Sequence, residues 1–148
     1  MIEPSESFPR QHARTRRFTC GAPRDVRVAD DGSRVLFLRS AFGDDPVNAL
    51  WCLDIETGLE RLVADPEALL AGVDSDGSQQ VVPAAELARR ERVRESGTGI
   101  VAYDALSDLS RVCFVLDGRI HLVEVAGSGG SDRVVEVPSS GDAFDPRL

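Results

Sequence analysis

The chain has 148 residues, a length that predicts one domain with a sizeable hydrophobic core. Its 17 basic and 25 acidic residues give a formal net charge of −8, which argues against a general nucleic-acid binder. No stretch approaches the roughly 20 apolar residues of a membrane span, the amino terminus lacks a signal-peptide pattern, and the three cysteines form no C-x-x-C pair. We therefore expect a cytoplasmic protein that binds neither nucleic acid nor membrane.

The first half of the chain predicts four short strands after an irregular lead-in. Residues 1–22 are rich in proline and arginine and show little periodicity. Turn signals such as Asp30-Asp31-Gly32 and Glu56-Thr57-Gly58 then separate apolar runs. The predicted strands are 25–29, 34–39, 49–54 and 59–63. The second is apolar on both faces, as in a buried strand, whereas the fourth alternates only partly and suits an outer strand.

The stretch 66–98 interrupts this strand pattern. Asp65 and Pro66 predict one helical turn, with the aspartate as N-cap and the proline at the first helical position. Residues 72–80 are rich in Gly, Asp, Ser and Gln and predict an exposed loop. A short, heavily charged helix is predicted to follow from Pro83 and to end at Gly97.

Arg94 is the candidate functional residue of this charged helix. It follows Leu87 by two helical turns and so emerges near the apolar stripe of the helix, and Glu91 is placed to hold its guanidinium. A guanidinium fixed in this way is a good partner for a carbonyl or a carboxylate. The competing interpretation is a solvated helix whose last arginines interact with its C-terminal dipole.

The strand pattern resumes after residue 98. The predicted strands are 100–104, 111–116, 119–125 and 133–137. Asp117-Gly118 is a two-residue hairpin turn between the second and third of them. His121 lies in the middle of a strand and is predicted to be structural.

The two groups of strands repeat one another. The matching stretches are 33–38 with 110–115, 50–54 with 120–124, and 59–63 with 132–136. Four short antiparallel strands joined by tight turns are the sequence pattern of a β-propeller blade. We therefore predict an all-β fold, a partial propeller of about two four-stranded antiparallel blades with the charged helix inserted between them. A two-layer β-sandwich also fits eight such strands.

This fold divides the chain into five predicted segments. They are an irregular lead-in (1–22), a first blade (23–65), the inserted loop and charged helix (66–98), a second blade (99–138) and the truncated start of a third blade (139–148). Two blades and a fragment cannot close a ring, because each blade buries its faces against its neighbours. The sequence therefore predicts an incomplete piece of a larger assembly.

Catalytic motifs do not occur in the sequence. It contains no G-x-S-x-G elbow, no P-loop, no dinucleotide fingerprint and no cluster with metal-ligand spacing. Its two histidines, His12 and His121, are far apart. We therefore expect no catalytic residue, no metal and no cofactor in this chain.

The charged run carries a family resemblance. Glu86-Leu-Ala-Arg-Arg-Glu91-Arg92-Val-Arg94, followed by Gly97-Thr-Gly99-Ile100-Val-Ala-Tyr103, resembles a segment near the start of the propeller in bacterial dipeptidyl peptidase IV-like serine peptidases of the prolyl oligopeptidase family. Asp45-Pro46-Val47-Asn48-Ala49-Leu50-Trp51 and Phe144-Asp145-Pro146-Arg147-Leu148 resemble that family too, and the resemblance covers roughly residues 8 to 148. Members pair an eight-bladed propeller with an α/β-hydrolase domain and release dipeptides from peptide amino termini.

The resemblance implies a role in holding the substrate. In the family, a glutamate pair and an arginine of the propeller bind the amino-terminal part of the peptide. The glutamates and the serine, aspartate and histidine of the triad have no counterpart in this sequence. The arginine carries over to Arg94, with Glu91 in support. The implied function is substrate gating and peptide binding, without catalysis by this chain alone, and the implied partners are the peptide, the remaining blades and the hydrolase domain. The alternative is a non-catalytic β-repeat protein-interaction module.

Overall fold

The fold consists mostly of two four-stranded antiparallel sheets, as seen in a computed structural model that describes residues 7–71, 99–127, 129–141, 143 and 145–148. In both sheets the strands follow one another in chain order. Sheet 1 contains β1 (Arg24–Val28), β2 (Arg34–Ser40), β3 (Asn48–Asp54) and β4 (Glu60–Ala64). Sheet 2 contains β5 (Tyr103–Ala105), β6 (Arg111–Leu116), β7 (Arg119–Glu124) and β8 (Arg133–Val137). The helices are α1 (Phe8–Arg14) and α2 (Pro66–Leu70).

The predicted strands are confirmed, with one clear difference at a boundary. The predicted strand 100–104 begins later, because β5 starts at Tyr103. The backbone N–H of Ile100 donates instead to the carbonyl of Asn48 at the start of β3, at 2.9 Å. Residues 99–100 therefore contact sheet 1, and the chain joins sheet 2 only after that contact.

The lead-in differs from the irregular structure expected for residues 1–22. Residues Phe8–Arg14 form α1, with a proline in its first turn, where the missing N–H costs nothing. No residue of α1 is buried, so the helix has no apolar periodicity that the sequence could reveal. The predicted turn of helix at Pro66 is confirmed as α2, where Asp65 caps the N-terminus by accepting a hydrogen bond from the amide of Glu67 at 2.9 Å.

The turn that precedes the second strand has the same geometry in both sheets. In 31–33 and in 108–110, the aspartate Oδ1 accepts a 2.9 Å hydrogen bond from the serine amide two residues later. The central residue has a positive φ in each turn, 69° at Gly32 and 55° at Leu109. A left-handed backbone is costly for leucine, but the Leu109 side chain is buried in the core. The repeat therefore extends from the strands to the turns.

The strand pairing defines equivalent positions in the two sheets. Leu36 pairs with Cys52 in sheet 1, and the matching Cys113 pairs with Leu122 in sheet 2. The predicted alignments of the second and third strands agree with this pairing. The fourth strands differ, because Cys52 pairs with Arg61 and Leu122 pairs with Val135. Arg61 therefore corresponds to Val135, one residue away from the predicted match of 59–63 with 132–136.

We call the face of each sheet that carries Leu36 or its equivalent Cys113 the front, and the opposite face the back. The core is built where the front of sheet 1 packs on the back of sheet 2. It includes Leu36, Leu38, Leu50 and Cys52 from sheet 1 and Tyr103, Val112, Phe114 and Val123 from sheet 2. Non-equivalent faces therefore meet, and the contact is head to tail.

Length and hydropathy decide whether a helix can span a membrane. No helix among the described residues is long and apolar enough to cross a membrane.

Residues 139–148, expected to begin another strand, form no strand in the part of this segment that the structure describes. They attach to sheet 2 through the amide of Ala143, which donates to the carbonyl of Gly118, and through the amide of Leu148, which donates to Asp104.

Candidate functional site

The predicted substrate-binding residue lies outside the described residues. Arg94 and its supporting Glu91 belong to the stretch 72–98, as does the whole of the predicted charged helix from Pro83 to Gly97. Their role stays a prediction. The structure does describe the residues on either side of this stretch and their contacts with the core.

Gly99 fixes the point at which the chain rejoins. It forms a β-bridge with Asn48 and has a φ of +50°, and a Cβ on Gly99 would lie 2.4 Å from the Asn48 carbonyl oxygen. Only glycine tolerates that approach. The next residue, Ile100, is fully buried in the core. On the other side, Leu69 and Leu70 of α2 pack against the same core. Both ends of the segment that contains Arg94 are therefore anchored.

Tyr103 joins the two sheets in the interior. It is 4% exposed, and its hydroxyl donates at 2.7 Å to the carbonyl of Asp25 and lies 3.0 Å from the carbonyl of Leu36. Burial raises the pKa of the phenol, so Tyr103 is a neutral hydrogen-bond donor at physiological pH. Asp25 lies at a β-bulge and has a φ of +49°, so the tyrosine satisfies a carbonyl that regular strand pairing does not provide for.

An ion pair closes one edge of this joint. Arg27 donates through Nη1 to Asp104 Oδ1 at 2.8 Å and through Nη2 to the carbonyl of Tyr103 at 3.0 Å. Its guanidinium also lies 5.1 Å from the centre of the Tyr103 ring. The amide of Leu148 donates to the other oxygen of Asp104, and together with Arg27 it lowers the pKa of Asp104 to about 2. The carboxylate of Asp104 is therefore charged at neutral and at mildly acidic pH.

A second ion pair lies at another edge. Arg61 donates to both carboxylate oxygens of Asp132, at 2.9 and 3.0 Å, and to the carbonyl of Ala126 at 2.8 Å. Asp132 also accepts the amide hydrogen of Ala126 at 2.8 Å. The hydrogen bond to Asp132 raises the pKa of Arg61. The cavity beside this pair is only about 60 Å³, too small for a peptide, so the pair is a structural connection between the sheets.

A larger cavity of about 220 Å³ lies at the Arg27 edge. Its charged lining consists of Asp25, Arg27, Asp104, Asp145 and Arg147. Both guanidinium groups already have carboxylate partners, Arg27 in Asp104 and Arg147 in Asp145 at 2.9 Å. Neither arginine is therefore held ready for a ligand, and the lining offers hydrogen bonding rather than nucleophilic chemistry.

His121 lies in the core, in line with its predicted structural role. Its ring stacks on Phe114 with centroids 5.3 Å apart, and its Nδ1 lies 3.2 Å from the carbonyl of Arg119. Burial lowers the pKa of the imidazole. The described residues contain no group of three or more side chains that could hold a metal ion.

The back of sheet 1 is the first of two apolar surfaces that sequence reasoning did not single out. Val28 and Leu62 are 59% and 43% exposed there, beside the half-buried Trp51. Arg39 lies over the rings of Trp51 and Phe37, with 4.5 and 5.4 Å to their centroids. The arginine thus covers the aromatic part of this face and leaves its aliphatic part open.

The front of sheet 2 is the second apolar surface. Val135 and Val137 of β8 are 41% and 36% exposed, beside the half-buried Val115, Ile120 and Leu122. A sequence signal for both surfaces existed. The runs 34–39 and 111–116 are apolar on both faces, and such runs are typical of strands covered on both sides.

Comparison with known protein families identifies no family for this chain. No family model matches the sequence. The candidate functional features are therefore those of the structure itself: the joint between the sheets and the two exposed apolar faces.

Proposed function

We propose that this chain is a propeller part of a dipeptidyl peptidase IV-like serine peptidase, in which it gates access to the active site and helps to bind the peptide. In this proposal, about two blades are represented by sheets 1 and 2. The remaining blades and the α/β-hydrolase domain that carries the catalytic triad are partners. A cytoplasmic location is part of the same proposal.

The observation that carries the proposal is the packing of the front of sheet 1 on the back of sheet 2. Blades of a propeller are related by rotation, so each presents its front to the back of the next. A two-layer sandwich instead buries one face of each sheet and leaves the outer faces largely polar. Here the outer faces carry exposed valines and leucine, namely Val28 and Leu62 on one side and Val135 and Val137 on the other. Apolar outer faces support blades that continue in both directions.

The peptidase part of the proposal rests on the sequence resemblance. Arg94 is the residue assigned to a carbonyl of the bound peptide, with Glu91 as its support. The polar side chains of the described joint already pair with one another, so no ligand-binding group is assigned there and the binding role rests on Arg94. The chain therefore positions substrate, and a separate domain cleaves it.

The coding sequence that follows codon 148 in the genome tests this proposal directly. It should encode further four-stranded repeats, a Glu-Glu pair and a G-x-S-x-G elbow. A stop codon followed by unrelated sequence would contradict the proposal. Purified chain alone should release no dipeptide from peptide substrates, and measurable release would contradict the non-catalytic role.

A variant of Arg94 tests the binding role in the full-length protein. Arg94→Ala should lower kcat/KM for dipeptide release by roughly 10- to 100-fold, since a lost hydrogen bond to a charged group costs about 1.5–3 kcal/mol. Arg90→Ala is the matched control, because it removes an arginine from the same charged run. Equal losses in both variants would count against the assignment.

A further inference from the structure

The two exposed apolar faces are complementary, because one is a front face and the other is a back face. We propose that a second copy of this chain docks head to tail, with the front of sheet 2 of one copy against the back of sheet 1 of the next. This inference rests on the blade-like packing that carries the proposed function, but it does not depend on peptidase activity. It concerns the 148-residue chain by itself, because in the longer protein of the proposed function neighbouring blades would cover the same two faces.

The internal joint is the template for this contact. On its front side, Leu36, Leu38, Leu50 and Cys52 correspond to Cys113, Val115, Ile120 and Leu122 of sheet 2. On its back side, Val112, Phe114, His121 and Val123 correspond to Val35, Phe37, Trp51 and Leu53 of sheet 1. Each counterpart on the two outer faces is apolar. Leu116 in the core of the joint corresponds to Arg39, which lies over Phe37 and Trp51 and interrupts the apolar back of sheet 1. Apart from Arg39, the faces that would meet between copies have the same character as those that already meet within one chain.

Charge complementarity at the rim adds a second argument. In the internal joint, Arg34 donates through Nη1 to the carbonyls of Val125 and Ala126, at 3.2 and 3.4 Å. Val125 and Ile55 occupy equivalent positions in the two sheets. The amide of Val125 donates to the carbonyl of Ser110, just as the amide of Ile55 donates to the carbonyl of Ser33.

These equivalences pair two opposite charges across the proposed contact. Arg111 corresponds to Arg34, and Glu56 follows Ile55 as Ala126 follows Val125. Arg111 lies at the rim of the front of sheet 2 with its side chain 57% exposed, in a long, exposed ion pair of 3.8 Å with Glu124 of its own chain. Glu56 is exposed in the turn after β3. The template therefore places the Arg111 guanidinium of one copy against the carbonyls of Ile55 and Glu56 of the next, beside the opposite charge of the Glu56 carboxylate.

The contact between copies is weaker than the joint within one chain. The position of Arg61 is taken by Val135 in sheet 2, so the Arg61–Asp132 ion pair has no counterpart. The residues 145–148 bind beside Asp104 on β5 and leave the valines of β8 exposed. A net charge of −8 also opposes association. We therefore expect reversible, concentration-dependent assembly rather than a permanent dimer.

Sedimentation velocity of the 148-residue chain over a concentration series tests this inference. The weight-average sedimentation coefficient should rise with concentration. Arg111→Glu and Glu56→Arg should each weaken association by about tenfold, because each replaces an attraction by a repulsion. The double variant, which exchanges the two charges, should restore it. Arg119→Glu is the matched control, since it alters an exposed arginine of sheet 2 away from the front face and should leave association unchanged.

Several results would overturn the inference. They are a monomer at every concentration, association that neither charge reversal changes, or a double variant that fails to regain association. Val135→Glu gives a second, independent test, since it places a charge in the middle of the front of sheet 2 and should abolish assembly while circular dichroism remains unchanged. The genomic test of the proposed function is separate, so a monomeric chain with further blades encoded downstream would overturn self-association alone.

Discussion

Removal of a single oxygen atom at the joint provides a sensitive test of how the sheets are connected. Tyr103→Phe keeps the ring in the core and removes the hydroxyl that lies 2.7 Å from the Asp25 carbonyl and 3.0 Å from the Leu36 carbonyl. A typical hydrogen bond contributes about 1 kcal/mol net, and a buried group left without a partner costs about 1–3 kcal/mol. Since Asp25 lies within a β-bulge, its carbonyl has no regular ladder partner to fall back on. We therefore expect a loss of roughly 1–2 kcal/mol in the free energy of unfolding.

Urea denaturation measures this change. The midpoint should fall while the slope stays constant, because the variant exposes the same surface on unfolding. Ser139→Ala is the matched control, as it removes one hydroxyl whose hydrogen bond to the Gly141 carbonyl is exposed, and it should change stability by less than about 0.5 kcal/mol. If Tyr103→Phe were no more destabilising than Ser139→Ala, the Tyr103 hydroxyl would not connect the two sheets through these hydrogen bonds.

The remaining predictions concern pH. Burial lowers the folded-state pKa of His121 below its unfolded value of about 6.5, so the unfolded chain binds the proton more readily. Stability is therefore lost as pH falls below about 7 through the unfolded pKa. His121→Phe should flatten the melting temperature over that range, and an unchanged slope would contradict the assignment. Asp104 has a folded-state pKa of about 2, below the unfolded value of about 3.9, so its contribution is complete above about pH 5 and is lost as pH falls through about 2. Asp104→Asn should therefore be less stable than the natural chain at pH 7, and the difference should vanish near pH 2 in urea titrations; a constant difference would contradict this.

Most of the strands could be predicted from the sequence, because apolar runs and Asp-Gly turns are local signals. Each failure has a physical cause. Helix α1 buries no residue and so has no periodic apolar face to detect. The register of β4 differs from the predicted alignment because pairing with β3 shifts between Leu50 and Trp51. The start of β5 was missed since Gly99 and Ile100 first bind Asn48, a contact that no local pattern encodes.

The residues of the joint were beyond the reach of sequence patterns. Arg27 and Asp104, and likewise Arg61 and Asp132, are more than 70 residues apart in the chain and meet only because the two sheets pack. Apolar character on both faces of 34–39 and 111–116 indicated that both faces are covered, but not which face meets which. Arg94 stays a prediction, since it lies outside the described residues.

The head-to-tail packing of the two sheets can be tested by nuclear Overhauser effects from two aromatic rings. The chain has one tyrosine and one tryptophan, so the rings of Tyr103 and Trp51 give unambiguous signals. We predict cross-peaks from the Tyr103 ring to Asp25 and Leu36 of sheet 1, and none from the Trp51 ring to Val112 or Val123. Contacts between Trp51 and those two valines of the same molecule would show that the back faces meet, and would contradict head-to-tail packing.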